Sequence, residues 1–171
     1  MAEVGTDIQQ ASTYLKQGQL VAIPTETVYG LAGNALDVKA VSSIFETKNR
    51  PSFDPLILHV GSLEQVKPFV SSFPEKLKRL AEAFWPGPLT VLLPRNASVP
   101  DLVTSGLDRV AVRVPNHPLT LALLAQLDFP LAAPSANPFG YISPTQSAHV
   151  AAQLGPQIPY ILDGGVCAVG L

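Results

Sequence analysis

The chain has 171 residues, of which 47% are hydrophobic and 14% charged, and its formal net charge is −2. This composition predicts one folded domain and excludes an intrinsically disordered chain, which needs low hydrophobicity and high charge. The acidic balance argues against a protein dominated by nonspecific nucleic-acid binding, and the single cysteine, Cys167, excludes an intrachain disulfide and a cysteine-rich metal site.

Hydrophobic periodicity predicts alternating helices and strands through the first half of the chain. An apolar stripe predicts a helix at 6–17, and Gly18 follows as its stop. Asp37 is a predicted helix cap, and Ser62 followed by Gln65 is the capping-box pattern that opens a short helix. The predicted elements are helix 6–17, strand 19–24, helix 37–47, strand 55–60, a short helix from residue 62 and helix 74–84, with Pro74 at its first position.

The second half predicts a mixed sheet. The W-P-G-P run at 85–88 ends helix 74–84. Residues 94–108 show no helical period, so strands 89–93 and 109–114 are predicted to be antiparallel neighbours joined without a helix. The remaining elements are helix 118–127, strand 130–133, a polar loop at 134–144, a helix capped by Thr145 that runs to about residue 154, and strand 159–162. This order predicts a single α/β domain with a mixed, mostly buried sheet and helices on its faces.

The chain lacks the usual sequence motifs for binding phosphate or metal. It contains no G-x-x-x-x-G-K-[ST] and no G-x-G-x-x-G, so any bound phosphate would be held without a glycine cradle. It contains no H-E-x-x-H and no G-x-S-x-G, which leaves no support for a zinc protease or a hydrolase triad. The first twenty residues lack a secretory signal, and no apolar run reaches the length of a membrane span, so a reducing cytoplasm is the expected location.

Strand 109–114 places two arginines on one face. Arg109 and Arg113 alternate with three valines, and side chains alternate across a strand. Two unpaired arginines on a buried face would be costly, so that face meets water, carboxylates or an anionic ligand. The sequence does not choose among these three.

The stretch 23–60 sets charged and hydroxyl residues among prolines and apolar runs. Lys48 and Arg50 stand at a predicted helix end, where the helix dipole alone favours cations, although Arg also suits a phosphate or carboxylate. A lone histidine within a strand, such as His59, is more often a structural residue than a ligand contact. Lys48, Arg50 and Asp54 lie just upstream, and they favour a ligand contact here. Thr27 has an ordinary explanation in turn and capping chemistry.

Polar residues with small neighbours follow strand 130–133. Ser135 and Asn137 lie in the run A-P-S-A-N, and ligands collect beyond the carboxyl ends of strands in open α/β sheets. Ser143 offers a further hydroxyl, whereas Thr145 is explained by helix capping and Trp85 by core packing.

The motifs taken together resemble the YrdC/TsaC family of threonylcarbamoyl-AMP synthases. They are P-T-E-T-V-Y-G-L, K-N-R-P-x-x-x-P-L-I-L-H, W-P-G-P-L-T, V-A-V-R-V-P, A-P-S-A-N, S-P-T and D-G-G, in this order. The resemblance implies a twisted α/β sheet with a large, basic concave cavity. It also implies condensation of L-threonine, bicarbonate and ATP, with Mg²⁺, into threonylcarbamoyl-adenylate and pyrophosphate. The adenylate would feed the t6A modification of adenosine 37 in tRNA, together with other proteins of that pathway.

The resemblance also implies roles for individual residues. Lys48 and Arg50 would stabilise charge during the transfer, no side chain would act as a nucleophile, and the metal would be held by the phosphates of ATP. Asp54 departs from the asparagine common in relatives, which leaves its role open. The implied contacts with L-threonine are Thr27, His59, Arg113 and the backbone near Ala133, and those with ATP are Lys48, Arg50, Asp54, Arg109, Ser135, Asn137 and Ser143.

Relatives in this family continue past D-G-G into an E-S-T segment and a phosphate-contacting arginine, which this sequence does not include. The 171-residue species is therefore expected to be weakly active or inactive, and a longer version active. Two alternatives to the synthase remain open: a module that binds tRNA or double-stranded RNA, and a paralogue of the same fold that handles carbamoyl groups.

Overall fold

The computed structural model describes all 171 residues and shows eight strands in one mixed sheet. The strands are β1 (Glu3–Gly5), β2 (Val21–Ile23), β3 (Gly30–Asn34), β4 (Ile57–His59), β5 (Val91–Pro94), β6 (Arg109–Arg113), β7 (Leu131–Ala132) and β8 (Tyr160–Leu162). They lie in the order β1-β8-β2-β3-β7-β4-β6-β5. Strand β8 is parallel to both of its neighbours, and β4 is parallel to β6. The other neighbours are antiparallel, including the edge strand β5 and β6, as predicted.

Six α-helices and two short 3₁₀ helices connect the strands. Asp7 caps α1 by accepting hydrogen bonds from the N–H groups of Gln9 and Gln10, and Asp37 caps α2 in the same way through Lys39. The helices are α1 (Ile8–Lys16), α2 (Val38–Lys48), α3 (Glu75–Phe84), α4 (Asp101–Thr104), α5 (Pro118–Gln126) and α6 (Ser147–Leu154), with 3₁₀ turns at Glu64–Phe69 and Gly155–Gln157.

Two hydrophobic clusters cover the two faces of the sheet unequally. The larger cluster has 27 buried residues and contains apolar side chains from α2, α4 and α6 as well as one face of the whole sheet from β8 to β5. The smaller one has 12 residues, contributed by α1 and α5 and by strands β2, β3, β7 and β8. It contains no residue of β4, β5 or β6. The second face of those three strands is therefore left without a helical cover.

The strands β1 and β3 were not predicted from the sequence, because neither shows the apolar alternation typical of strands. The sequence of β3 is G-L-A-G-N, which carries no β-branched residue. A Cβ at Gly33 would lie 2.8 Å from Leu20 Cδ2 and 3.3 Å from Ile44 Cδ1, so the glycine lets α2 pack closely on the strand. The connection from β2 to β3 is the one that lacks a helix, whereas the connection predicted to lack one contains α4.

Three predicted helix starts differ in detail. Thr145 does not cap α6, since the N-cap is Gln146 and no side chain bonds the first turn. Pro74 is the N-cap of α3 and not its first residue. The capping-box residues open a 3₁₀ helix, in which Gln65 reaches back to the Gly61 N–H at 2.7 Å.

No helix in the structure is long and apolar enough to cross a membrane.

Candidate functional site

The uncovered half of the sheet, formed by β4, β6 and β5, carries most of the polar residues that the sequence singled out. We call this surface the open half-sheet; it is made by Ile57, His59, Leu92, Arg109, Ala111 and Arg113. Leu92, on the edge strand β5, is 53% exposed, so the surface is open to solvent along this edge. Arg109 is exposed, so the face that it shares with Arg113 meets water at the Arg109 end.

One end of the open half-sheet brings together Thr27, His59 and Arg113. His59 and Arg113 are register partners on the parallel strands β4 and β6, so their side chains stand side by side. Thr27 comes from the loop after β2, and its hydroxyl accepts a hydrogen bond from Arg113 Nη2 at 3.2 Å. The structure therefore assembles the three side chains that the resemblance assigned to L-threonine.

Arg113 is mostly buried and is fixed on two sides. Its Nε donates to the Gly87 carbonyl at 3.3 Å, and its Nη2 forms an ion pair with Glu26 besides the bond to Thr27. Both side chains of the ion pair are only 11% exposed. Burial lowers the pKa of Arg113, but a guanidinium remains charged in proteins. Nη1 has no partner in the protein and remains open to a ligand.

His59 is buried, with only 3% of its surface exposed. Its Nδ1 lies 3.1 Å from the Ile57 carbonyl. Burial lowers the pKa of His59 to about 4, with backbone hydrogen bonds opposing the shift. The imidazole is therefore neutral at pH 7 and adds no charge beside Arg113. Ala133 lies next to β4 but donates its N–H to the Ile57 carbonyl at 3.3 Å, so this N–H is not free for a ligand.

Thr25 and Thr27, near Arg113, have different roles: Thr25 stabilises the turn, and Thr27 bonds to Arg113. Thr25 Oγ1 accepts from the N–H groups of Thr27 and Val28 at 3.1 and 3.2 Å and donates to the Val28 carbonyl at 2.6 Å, which is turn chemistry. It also lies 3.0 Å from the Thr27 hydroxyl. The turn explanation thus holds for Thr25, and it leaves Thr27 oriented toward Arg113.

Lys48 is 1% exposed and contacts the loop after β7. Its ammonium donates to the Ser135 carbonyl at 2.5 Å and to the Asn137 carbonyl. Burial, with a smaller contribution from the charge of Arg50, lowers the pKa of Lys48 to about 8. The lysine therefore joins the end of α2 to the A-P-S-A-N loop, as a cation that holds two carbonyls in place.

Arg50 and Asp54 form an ion pair within one short loop. Arg50 Nη2 lies 2.9 Å from Asp54 Oδ2 and 3.0 Å from the Pro55 carbonyl. Burial lowers the pKa of Arg50, and Asp54 opposes the shift. Arg109 shares a cleft with Pro55, Leu92 and Ala111. Arg113 lies four residues further along β6, about 13 Å away. Arg50, Asp54 and Arg109 thus lie at the far end of the open half-sheet from Thr27.

The remaining predicted residues lie in or beside the loop at 134–144. Asn137 is buried and donates from Nδ2 to the carbonyls of Pro138 and Tyr141 at 2.8 and 2.9 Å, which closes the loop on itself. Ser135 pairs with Gly30 through an isolated bridge, and Ser143 is exposed. Trp85 packs edge-on against Phe73 and donates to the Leu89 carbonyl, as the core-packing interpretation predicted.

Two structural partners of the site were missed by the sequence interpretation. Glu26 lies in the P-T-E-T-V-Y-G-L motif, and its position between two threonines in an apolar run is the signal by which the sequence could have indicated a buried partner. Tyr29 is fully buried and donates its hydroxyl to the Gly165 carbonyl at 2.7 Å, which ties the D-G-G segment to the site. Burial raises the pKa of Tyr29 to about 12.

No group of three or more His, Cys, Asp or Glu side chains is arranged to hold a metal ion.

Comparison with known proteins places this geometry in a family. The model of the Sua5/YciO/YrdC family, described as "Telomere recombination", matches residues 13–171. The threonylcarbamoyl-AMP synthase of Pyrococcus abyssi is 49% identical over 164 residues, which is 96% of this chain and 48% of the relative, and that of Bacillus subtilis is 47% identical over 165 residues, again 96% and 48%.

A solved structure agrees with the sequence relatives. The crystal structure of P. abyssi Sua5 in complex with L-threonine superposes with a TM-score of 0.95 at 45% identity, and it covers 99% of this chain and 52% of that one. The chain thus spans about half the length of the curated relatives it matches. The fold, the ordered motifs and these matches agree, and the chain belongs to the Sua5/YciO/YrdC family.

Proposed function

We propose that this chain provides the L-threonine and ATP sites of a threonylcarbamoyl-AMP synthase, the activity for which its relatives are named. The reaction would join L-threonine, bicarbonate and ATP into threonylcarbamoyl-adenylate and pyrophosphate. The adenylate would then serve the t6A modification of tRNA together with other proteins of that pathway. The high identity of the relatives supports the assignment, and the open half-sheet supplies a surface on which it could occur.

The observation that carries the proposal is the division of the open half-sheet into two ends. Thr27, His59 and Arg113 form a small, buried, hydroxyl- and cation-bearing end that suits an amino acid, with Arg113 Nη1 free for a carboxylate. The relative solved with L-threonine is 45% identical to this chain, which supports this use. Arg50 and Arg109, at the other end, offer the charge that a triphosphate needs.

The chemistry needs positioning more than it needs a reactive side chain. Bicarbonate would take up a proton and lose water to give CO₂. The deprotonated amine of L-threonine would add to this CO₂ and release a proton to solvent, which gives a carbamate whose oxygen attacks the α-phosphorus of ATP. The bond from that phosphorus to the bridging oxygen breaks, and pyrophosphate leaves with the electron pair. Binding both substrates on one face would align the carbamate and the α-phosphate, and arginines would offset developing charge. Mg²⁺ would be held by the phosphates, since no carboxylate cluster is built for it.

Two arginine variants test the division. We expect Arg113→Ala to raise the Kd for L-threonine at least tenfold while the Kd for ATP changes less than twofold, because a charged hydrogen bond contributes about 1.5–3 kcal/mol. We expect Arg50→Ala to show the reverse pattern. Calorimetric titration gives both constants, and mass spectrometry of a mixture with ATP, Mg²⁺, bicarbonate and L-threonine detects the adenylate.

The matched control is Arg79→Ala, because Arg79 is 77% exposed on α3. It should leave both dissociation constants unchanged. Wild-type protein that binds neither L-threonine nor ATP would contradict the proposed function, as would two arginine variants with unaltered binding.

A further inference from the structure

The buried partner of Arg113 is a side chain that the chemistry above does not use. Glu26 Oε1 forms the ion pair with Arg113 Nη2, and Glu26 Oε2 accepts from the Asn116 N–H at 2.5 Å. The Glu26 carbonyl accepts from the Val169 N–H at 2.9 Å. Glu26 therefore connects the loop after β2 with the end of β6 and with residue 169.

The pairing determines which donors of Arg113 remain available. A guanidinium is planar and carries five N–H donors in a fixed fork. The Nε donor is used by Gly87, and Thr27 and Glu26 both lie on Nη2. With these two nitrogens held, the plane of the guanidinium is fixed, and only Nη1 is left for a ligand.

Burial shows that Glu26 does not itself meet the substrate. Its Oε1 is sealed from solvent, and its Oε2 is occupied by the Asn116 backbone. We infer that Glu26 is a positioning residue that orients Arg113 to receive the carboxylate of the amino-acid substrate. This inference rests on the proposed function, because it assumes that an amino acid binds at the Thr27 end.

The isosteric change Glu26→Gln isolates the effect of the Glu26 carboxylate on the orientation of Arg113. A glutamine offers one acceptor oxygen where two donors, the mostly buried Arg113 Nη2 and the Asn116 N–H, each bond one carboxylate oxygen of Glu26. One donor must then face the amide NH₂, which favours a rotated guanidinium. We expect the Kd for L-threonine to rise at least tenfold and the Kd for ATP to change less than twofold.

A ligand without the carboxylate separates positioning from general damage. 1-Amino-2-propanol is threonine without its carboxylate, so its weaker affinity should be the same within twofold in wild type and in Glu26→Gln. In an Arg113→Ala background, Glu26→Gln should also alter the Kd for L-threonine less than twofold, because the two residues act as a unit. The control is Glu64→Gln, which removes an exposed ion pair with Lys67 and should change none of these constants.

The outcomes distinguish the inference from the proposed function. If wild type binds no L-threonine, the proposed function fails. If wild type binds it and Glu26→Gln binds it within twofold or more tightly, the positioning role alone is overturned. Should Glu26→Gln fail to fold, Glu26→Asp keeps the charge and both oxygens but is one methylene shorter; it should weaken L-threonine binding and spare 1-amino-2-propanol, and unaltered L-threonine binding overturns the role.

Discussion

Burial governs the ionisable side chains at the Thr27 end of the open half-sheet. His59 is neutral at pH 7 because its pKa is lowered to about 4, while Arg113 keeps its charge and is paired with Glu26. The formal charge of His59, Arg113 and Glu26 together is therefore zero. Such a site suits a zwitterionic amino acid better than a dianion. At the other end Arg50 is paired with Asp54, so that Arg50, Asp54 and Arg109 together carry a formal charge of +1.

The lowered pKa of His59 predicts a pH-dependent stability. Between about pH 6.5 and pH 4 the unfolded chain binds a proton at this histidine and the folded protein does not. The free energy of unfolding should therefore fall as the pH falls through this window, by up to about 3 kcal/mol from this residue. Urea unfolding at several pH values measures it.

The comparison with His59→Gln isolates this contribution from the titration of other groups. The variant should lose less stability than wild type between pH 6.5 and pH 4. His149→Gln is the control, because His149 is exposed on α6, and its profile should follow wild type. Identical profiles for wild type and His59→Gln would show that the buried imidazole accepts a proton without cost.

At the scale of elements, two adjacent features build the site. The parallel register of β4 and β6 places His59 beside Arg113 and Ile57 beside Ala111, so one face of the two strands runs from the Thr27 end toward Arg109. The loop at 134–144 follows β7, the other neighbour of β4. The end of α2 holds that loop through Lys48, whose carbonyl also accepts from the Phe139 N–H at 2.7 Å.

The bonds from Lys48 predict a loosened loop when the ammonium is removed. Lys48→Met should leave the carbonyls of Ser135 and Asn137 without their donor, and each such bond contributes about 1.5–3 kcal/mol, offset in part by relief of a buried charge. We expect amide hydrogen exchange at Asn137 and Phe139 to accelerate at least tenfold. Lys39→Met, on the exposed side of the same helix, is the control. Unchanged protection at both amides would contradict a clamping role.

At the scale of the whole molecule, the candidate site exists because helices cover only part of one face of the sheet. Helices α1 and α5 cover the second face of β2, β3, β7 and β8 and stop short of β4, β6 and β5. The same sheet is fully packed on its other face by a cluster of 27 buried residues. The buried core and the open half-sheet are thus opposite sides of the same three strands.

A binding surface of this kind predicts a ligand-induced rise in Tm. L-threonine at one hundred times its Kd should stabilise the folded protein by about 2.7 kcal/mol. For a domain of this size, that corresponds to a Tm increase of roughly 5–10 °C, measurable by scanning calorimetry. The increase should survive 0.5 M salt, because the Thr27 end is buried and carries no net charge.

RNA provides the contrasting measurement. Affinity for RNA falls steeply with salt because phosphate contacts release counterions, and the chain has a formal net charge of −2. A Tm that rises with tRNA at low salt but not with L-threonine would favour the RNA-binding alternative over the synthase.

The sequence alone determined much of the fold and the identity of the candidate residues. Apolar periodicity and caps predicted the long helices α1, α2, α3 and α5, because those signals are local. The sequence patterns did not predict β1 and β3. In β3, the run Gly-Leu-Ala-Gly-Asn becomes a strand only when β2 and β7 pair with it on either side.

Only the tertiary structure decided what each candidate residue contacts. The sequence could not choose whether Arg109 and Arg113 meet water, a carboxylate or a ligand. The structure gives Arg109 water and Arg113 the carboxylate of Glu26, 87 residues away in the chain. Local pattern specifies which side chains share a face, but long-range packing decides which part of that face is covered, and this coverage separates a buried core from a binding site.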